Sequence, residues 1–229
     1  MVIADMAKQE PAGMAKRPPP RFDEAFRARL EELVAWRRDV RRFRRDAPVP
    51  DELMARLLET ACHAPSVGLS QPWRVVVVDS AERRQAIRAN FVRCNEAALA
   101  TYEGDRAGHY ARLKLAGLDD APVHLAVFVD RATGQGAGLG RRTMPEMLDY
   151  SVVMAIHTLW LAARAEGLGV GWVSILDPEA AGADLAAEPD WRLVAYLCIG
   201  WPEREETTPE LEREGWETRR AGCDFIYRR

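Results

Sequence analysis

Six arginines fall within nine residues in the string Arg37-Arg38-Asp39-Val40-Arg41-Arg42-Phe43-Arg44-Arg45. Guanidinium forks grip phosphate oxygens two at a time, so such a string can clamp a phosphate group. It can equally be a solvated surface segment. In an extended segment Arg37, Asp39 and Arg41 share one face and Arg38 and Arg42 the other. A helical end groups them differently, and the sequence leaves open which arginines converge. A second string, Ala64-Pro65-Ser66-Val67-Gly68-Leu69-Ser70-Gln71-Pro72-Trp73, mixes short polar groups with apolar ones between two shape-fixing prolines. A flat heteroaromatic ligand with hydrogen-bonding edges needs that mixture, although a plain helix-to-strand connection accounts for it as well. In a third, Gly171-Trp172-Val173-Ser174-Ile175, the serine lacks the G-x-S-x-G setting of a nucleophile elbow. Alone it reads as a satisfied hydroxyl in a buried strand.

Other motifs point away from common chemistries. Gly134-Gln135-Gly136-Ala137-Gly138-Leu139-Gly140 departs from G-x-G-x-x-G at Leu139, and Gly167-Leu168-Gly169-Val170-Gly171 runs from helix to strand, the reverse of the dinucleotide-binding order. The first reads as a flexible loop and the second as a close helix–sheet contact. The four histidines are scattered, so no zinc site is expected. Cys62, Cys94, Cys198 and Cys223 lack C-x-x-C spacing and read as reduced thiols of a cytoplasmic protein.

These residues need elements to position them. Phe22 to Trp36 carries Phe26, Leu30, Leu33 and Val34 on one helical stripe. Pro50-Asp51 opens a second helix with Leu53, Met54, Leu57, Leu58 and Ala61 inward. The unbroken valines of Trp73 to Val78 read as a buried strand. Ser80 is an N-cap for a helix running towards Tyr102, and another helix resumes from Tyr110 to Leu118 after interruptions at Gly104 and Gly108. Val123 to Val129, Val170 to Ile175 and Leu193 to Gly200 read as further strands, and a short helix follows Asp177-Pro178. Met144 to Glu166 is a helix apolar nearly all round, suited to a core or a dimer interface.

Composition sets the frame. The chain has 229 residues, 48% apolar and 29% charged, with a formal net charge of −3. These proportions exclude a disordered chain. An acidic pI of about 5.9 argues against nucleic-acid binding through bulk basicity. The longest apolar stretch, Tyr150 to Ala163, is short of the roughly 20 residues of a membrane span. Residues 1–20, charged and ending in three prolines, read as a disordered leader rather than a signal peptide. One α/β-type domain over residues 21–229, with a C-terminal arm from Trp201, is the simplest organisation.

Taken together, Arg37-Arg38-Asp39-Val40-Arg41, Ala64-Pro65-Ser66-Val67-Gly68 with Gln71-Pro72-Trp73, and the long string Trp160 to Ser174 (WLAARAEGLGVGWVS) resemble the flavin-dependent nitroreductase superfamily, and within it the 5,6-dimethylbenzimidazole synthase branch. The likeness spans about Phe26 to Arg220. Ordinary members carry serine where this chain has Asp39. The resemblance implies an α+β fold with a central mixed sheet flanked by helices, in a domain-exchanged homodimer with FMN at the interface. It implies that reduced FMN is the substrate and is fragmented with dioxygen to 5,6-dimethylbenzimidazole, the lower ligand of vitamin B12, and erythrose 4-phosphate, without a metal.

In that reading Arg37, Arg38 and Arg41, with Arg219 from the arm, hold the phosphate and ribityl chain. Ser66 and Gln71 meet the flavin edge, and Gly169, Val170, Gly171 and Trp172 bring backbone to the ring. Asp39 accepts a proton during ribityl oxidation or holds a ribityl hydroxyl, and its pKa is expected to be depressed by the neighbouring arginines, leaving it available as a base. Ser174 hydrogen-bonds the flavin or orients a peroxide-bearing intermediate. Asn95 to Asp120 forms a lid that excludes a nicotinamide, so reduced FMN arrives from a separate flavin reductase. The competing readings are an NAD(P)H-dependent FMN nitroreductase or flavin reductase, a reductive dehalogenase, a flavin carrier without catalysis, and an RNA-binding arm at Arg37 to Arg45.

Overall fold

The structure, a computed structural model, describes residues 19–112, 117–220 and 225–229. Most of the expected leader therefore lies outside the described residues.

Segments rich in valine, other apolar residues and aromatics make four strands: β1 (Trp73–Val77), β2 (Val123–Asp130), β3 (Gly169–Val173) and β4 (Trp191–Gly200). They pair in the order β1-β2-β4-β3, antiparallel throughout. A mixed sheet was expected. The parallel component is one isolated bridge, Asp39 to Val170, which lays the arginine string along the outer edge of β3.

Side chains alternate across the sheet, so each strand feeds two cores. Leu125, Val127 and Val129 of β2 and Leu197 and Ile199 of β4 face one layer. That layer is made by α2 (Asp51–Ala61) and α6 (Met147–Ala165). Ala126, Phe128, Tyr196 and Cys198 face the other, closed by α3 (Ala81–Leu99), α5 (Gly117–Asp120) and α7 (Pro178–Asp184). Burial on both faces explains why β2 and β4 lack alternating polar residues. Each large apolar side chain buried in these layers contributes about 2 kcal/mol.

The helix signals hold with shifted limits. Ser80 caps α3 by accepting from the Arg83 amide, and Asp177 caps α7 through the amides of Glu179 and Ala180. The long apolar helix α6 begins at Met147, not Met144, because a turn held by Met144 N–H to Gly140 C=O precedes it. Gly108 does not interrupt the next helix: α4 runs Gly104–Arg112 through it. Residues 113–116 of the expected Tyr110–Leu118 helix lie outside the described residues.

The stripe of α1 (Glu24–Trp36) departs most from expectation. None of its residues is buried, and Phe26, Leu30 and Val34 stay 45–49% exposed. α6 likewise shows Tyr150 and Val153 to the outside.

Candidate active site

Helix α1 stops where Arg37 turns extended, its amide still bonded to Leu33 C=O. Beyond it the chain runs beside β3, with Val40 N–H donating to Val170 C=O at 3.0 Å. This approach needs glycine. A Cβ on Gly169 would sit 2.7 Å from Val40 Cγ2, and one on Gly171 would collide with the Val40 carbonyl. Both glycines thus make room for the chain's own arginine segment, while Val170 is buried in the core. Phe43, 3% exposed, anchors the far end, and its bridge to Pro202 ties the segment to the arm.

The string is extended, but its side chains do not sort into the two expected groups: Arg38 and Arg42 line the same cleft as Asp39 and Arg41, and Arg37 lies against the Trp160 ring. Asp39 and Arg41 point together: Arg41 Nε donates to Asp39 Oδ2 at 3.3 Å, and the Trp172 amide donates to Asp39 Oδ1 at 2.9 Å. Both carboxylate oxygens are therefore held. Burial nevertheless dominates the electrostatics and raises the Asp39 pKa, against the opposing pull of the Trp172 amide and of Arg41. The expected depression is corrected: removing the carboxylate from water outweighs its cationic neighbours.

Arg38 donates through Nη1 to Arg37 C=O at 2.6 Å and through Nη2 to Thr207 C=O of the arm. Its Nε is buried and has no partner among the described residues. Burial, then the charges of Arg219 and Arg37, lower its pKa. Arg219 is therefore near enough for its charge to act on Arg38. A buried guanidinium donor left without a partner is a setting that can receive an anion. A cleft of about 170 Å³ opens here, lined by Arg38, Asp39, Arg41 and Arg42 with Arg204 and Arg213 of the arm, whose Glu203, Glu206, Glu210 and Glu214 also line it and balance the arginine charge.

Trp160, left without a role by the sequence, holds this side from α6. Its Nε1 donates to Arg38 C=O at 3.1 Å, and Arg37 Cζ lies 5.1 Å from its ring centroid. Indole rings 160 and 172 lie 6.4 Å apart. The signal for Trp160 was its membership of the long string. Ser174 follows the end of β3 and is exposed, two residues from the amide that binds Asp39. It is not a hydroxyl satisfied inside a buried strand.

Ser66 and Gln71 sit elsewhere. They flank a 3-10 turn (Val67–Leu69) that leads into β1, at the opposite edge of the sheet from β3. Ser66 Oγ accepts from the Gln71 amide at 3.1 Å, and Val67 N–H donates to Ser151 Oγ of α6 at 3.0 Å. Ser151 and Trp160 are nine residues apart on α6, about 14 Å along its axis and half a turn around it. One chain alone therefore does not bring Ser66 and Gln71 to the arginines.

The expected lid region is clasped by the arm. Tyr102 and Tyr110 stack at 4.8 Å, Trp216 meets Tyr102 edge-on at 5.5 Å, and Arg106 lies 4.7 Å from the Trp216 ring. Tyr110 also donates to Asn95 Oδ1 at 2.9 Å.

Among the described residues, no helix is long and apolar enough to cross a membrane. No group of three His, Cys, Asp or Glu gathers there to hold a metal.

Comparison with known proteins agrees with this geometry. The nitroreductase family pattern matches residues 34–201. A 5,6-dimethylbenzimidazole synthase of Rhodospirillum rubrum is 61% identical over 201 residues, covering 88% of this chain and 95% of that protein. One from Rhodobacter capsulatus is 52% identical over 86% of this chain and 94% of its own. In fold, the chain is similar to an iodotyrosine deiodinase solved with FMN and 3-iodo-L-tyrosine (TM-score 0.65, 25% identity, 77% of this chain and 91% of that one). It is also similar to a BluB-like flavoprotein of Clostridium difficile (TM-score 0.63, 21% identity, 86% and 97%). The match from the end of α1 to the start of the arm covers the arginine segment, the sheet and the β3 edge: the chain belongs to the nitroreductase family, in the branch with the 5,6-dimethylbenzimidazole synthases.

Proposed function

We propose that the chain is a 5,6-dimethylbenzimidazole synthase that fragments reduced FMN with dioxygen, releasing 5,6-dimethylbenzimidazole and erythrose 4-phosphate. One observation carries this reading. A carboxylate, Asp39, is pinned by the Trp172 amide and Arg41 inside an arginine cluster, in a chain that shares most of its sequence with synthases. The orphaned Arg38 Nε fits the phosphate of FMN.

Bound reduced FMN supplies the electrons and the carbon skeleton and reacts with dioxygen. The chain's residues bind, orient and move protons. Arg37, Arg38, Arg41 and Arg219 neutralise the phosphate. Asp39, held at both oxygens, accepts a proton from a ribityl carbon or hydroxyl, and its raised pKa brings it closer to the working pH. Ser174, exposed two residues beyond the amide that holds Asp39, would donate a hydrogen bond to the flavin when it is bound. The part of the expected lid that the structure describes, residues 95–112 and 117–120, would cover the ring, excluding bulk water and a nicotinamide, so a separate flavin reductase delivers the substrate.

The working unit in this proposal is a homodimer. A second copy carries its own Ser66 and Gln71 to the arginine edge of the first, and covers the exposed stripes of α1 and α6.

The test follows flavin absorbance after air is admitted to an anaerobic mixture of protein and reduced FMN. The synthase bleaches the flavin permanently. An NAD(P)H-dependent reductase returns the full oxidised spectrum and consumes NADPH, which overturns the reading.

A further inference from the structure

The glycine-rich loop Gly134–Gly140 has no role in the reading above, yet it interlocks with the Ser66–Gln71 loop. A Cβ on Gly136 would lie 2.5 Å from Gly68 C=O, and one on Gly140 would lie 2.7 Å from Val67 Cγ2. Leu69, Gln71 and Ala137 all take left-handed φ values, 54°, 42° and 49°. Non-glycine residues hold that conformation at a cost, so the pair of loops is built for a particular presentation.

What it presents follows from hydrogen-bond polarity. Gln135 Nε2 donates to Leu69 C=O at 2.7 Å and to Gln71 Oε1 at 3.1 Å. The backbone carbonyl only accepts, so the Gln135 atom facing it is the NH2 group. The second hydrogen of that group then requires an acceptor from Gln71, which is Oε1. The Gln71 NH2 group is thereby left free to donate. Ser66 follows the same logic: its oxygen accepts from the Gln71 amide, which leaves the hydroxyl proton to donate.

We propose that Gln135 is a positioning residue that locks the Gln71 side-chain amide with its NH2 group outward, so that this loop recognises an acceptor edge, a ring carbonyl or imine nitrogen, of the ligand. The proposal rests on the reading that Gln71 meets the flavin. It adds the polarity of that contact and the residue that sets it. Glutamate at 135 cannot donate, so it forces Gln71 to turn its NH2 group inward and to show Oε1 to an edge that also accepts.

The test measures FMN affinity by fluorescence quenching in the full chain, with the absorption spectrum of bound FMN and the melting temperature recorded for each variant. Gln135→Glu should weaken FMN binding about 10-fold and shift the bound-flavin spectrum, with the melting temperature held. Gln71→Glu, which shows an acceptor directly, should reproduce the spectral shift. In a Gln71→Ala background, Gln135→Glu should change affinity less than twofold. Parental affinity and spectrum in Gln135→Glu, alongside weakened binding in Gln71→Ala, overturn the positioning role and leave the flavin contact intact. Parental binding in Gln71→Ala removes that contact and the proposal with it.

Discussion

Asp39 shows how a single group's environment decides its chemistry. Its raised pKa means that falling pH protonates it earlier than an ordinary carboxylate and removes the base. The rate of product formation should therefore fall on the acid side at a pH above the usual carboxylate range. Asp39→Asn should lower turnover at least 100-fold while FMN binding persists, which rapid-quench product assays and fluorescence titration check separately. His124 makes a second prediction. It is buried against Tyr196 OH at 2.9 Å, and burial lowers its pKa to about 4 from the ordinary 6.5. The unfolded chain binds this proton first, so the stabilising effect of a neutral His124 is complete above pH 6.5 and is lost as pH falls towards 4. Urea unfolding at pH 7 and pH 4.5 should show a loss approaching 3 kcal/mol, as an order of magnitude, reduced in His124→Asn. The sequence named Asp39 and the arginines because their types and spacing are unusual. It misjudged the sign of the Asp39 shift because desolvation depends on what the fold stacks around the carboxylate.

At the scale of elements, β2 and most of β4 were legible because a strand buried on both faces is written as a largely apolar run, whereas β1 was placed correctly but is not the buried strand its valines suggested, since Val75 is exposed. The α1 stripe was equally legible as a helix, but its exposure was not, since periodicity reports an apolar face and not what covers it. The tight join between the arginine segment and β3 was half visible. Gly169 and Gly171 stood out as a close contact, while the partner in that contact, Val40, came only with the structure. Gly171→Ala drives a Cβ into the Val40 carbonyl. It should cost about 2 kcal/mol by overpacking and weaken FMN binding by moving the arginines, as denaturant midpoints and titration will show. Trp216 joins the arm to α4 through Tyr102, Tyr110 and Arg106. Trp216→Ala should speed hydrogen exchange in residues 104–112 about 10-fold while exchange in β2 and β4 stays unchanged.

For the whole molecule, a net charge of −3 conceals one concentrated run of arginines, so composition excluded polyanions without excluding a small phosphate. The meeting of the two half-sites was beyond the sequence. Ser66 and Gln71 stand at the β1 edge and Asp39 at the β3 edge of one chain, and the proposed homodimer is what would bring them together. Complementation tests the proposed dimer. Arg38→Ala and Gln71→Ala chains should each be inactive alone, and hybrid dimers carrying one of each should regain about half of parental turnover per dimer, through one intact composite site. Failure to recover activity contradicts a site shared between copies.

The central claim is that FMN is consumed rather than recycled. Protein mixed anaerobically with photoreduced FMN, exposed to air and examined by mass spectrometry tests it directly. The account predicts 5,6-dimethylbenzimidazole and erythrose 4-phosphate in equal amounts, with matching loss of FMN. Quantitative recovery of intact oxidised FMN contradicts it.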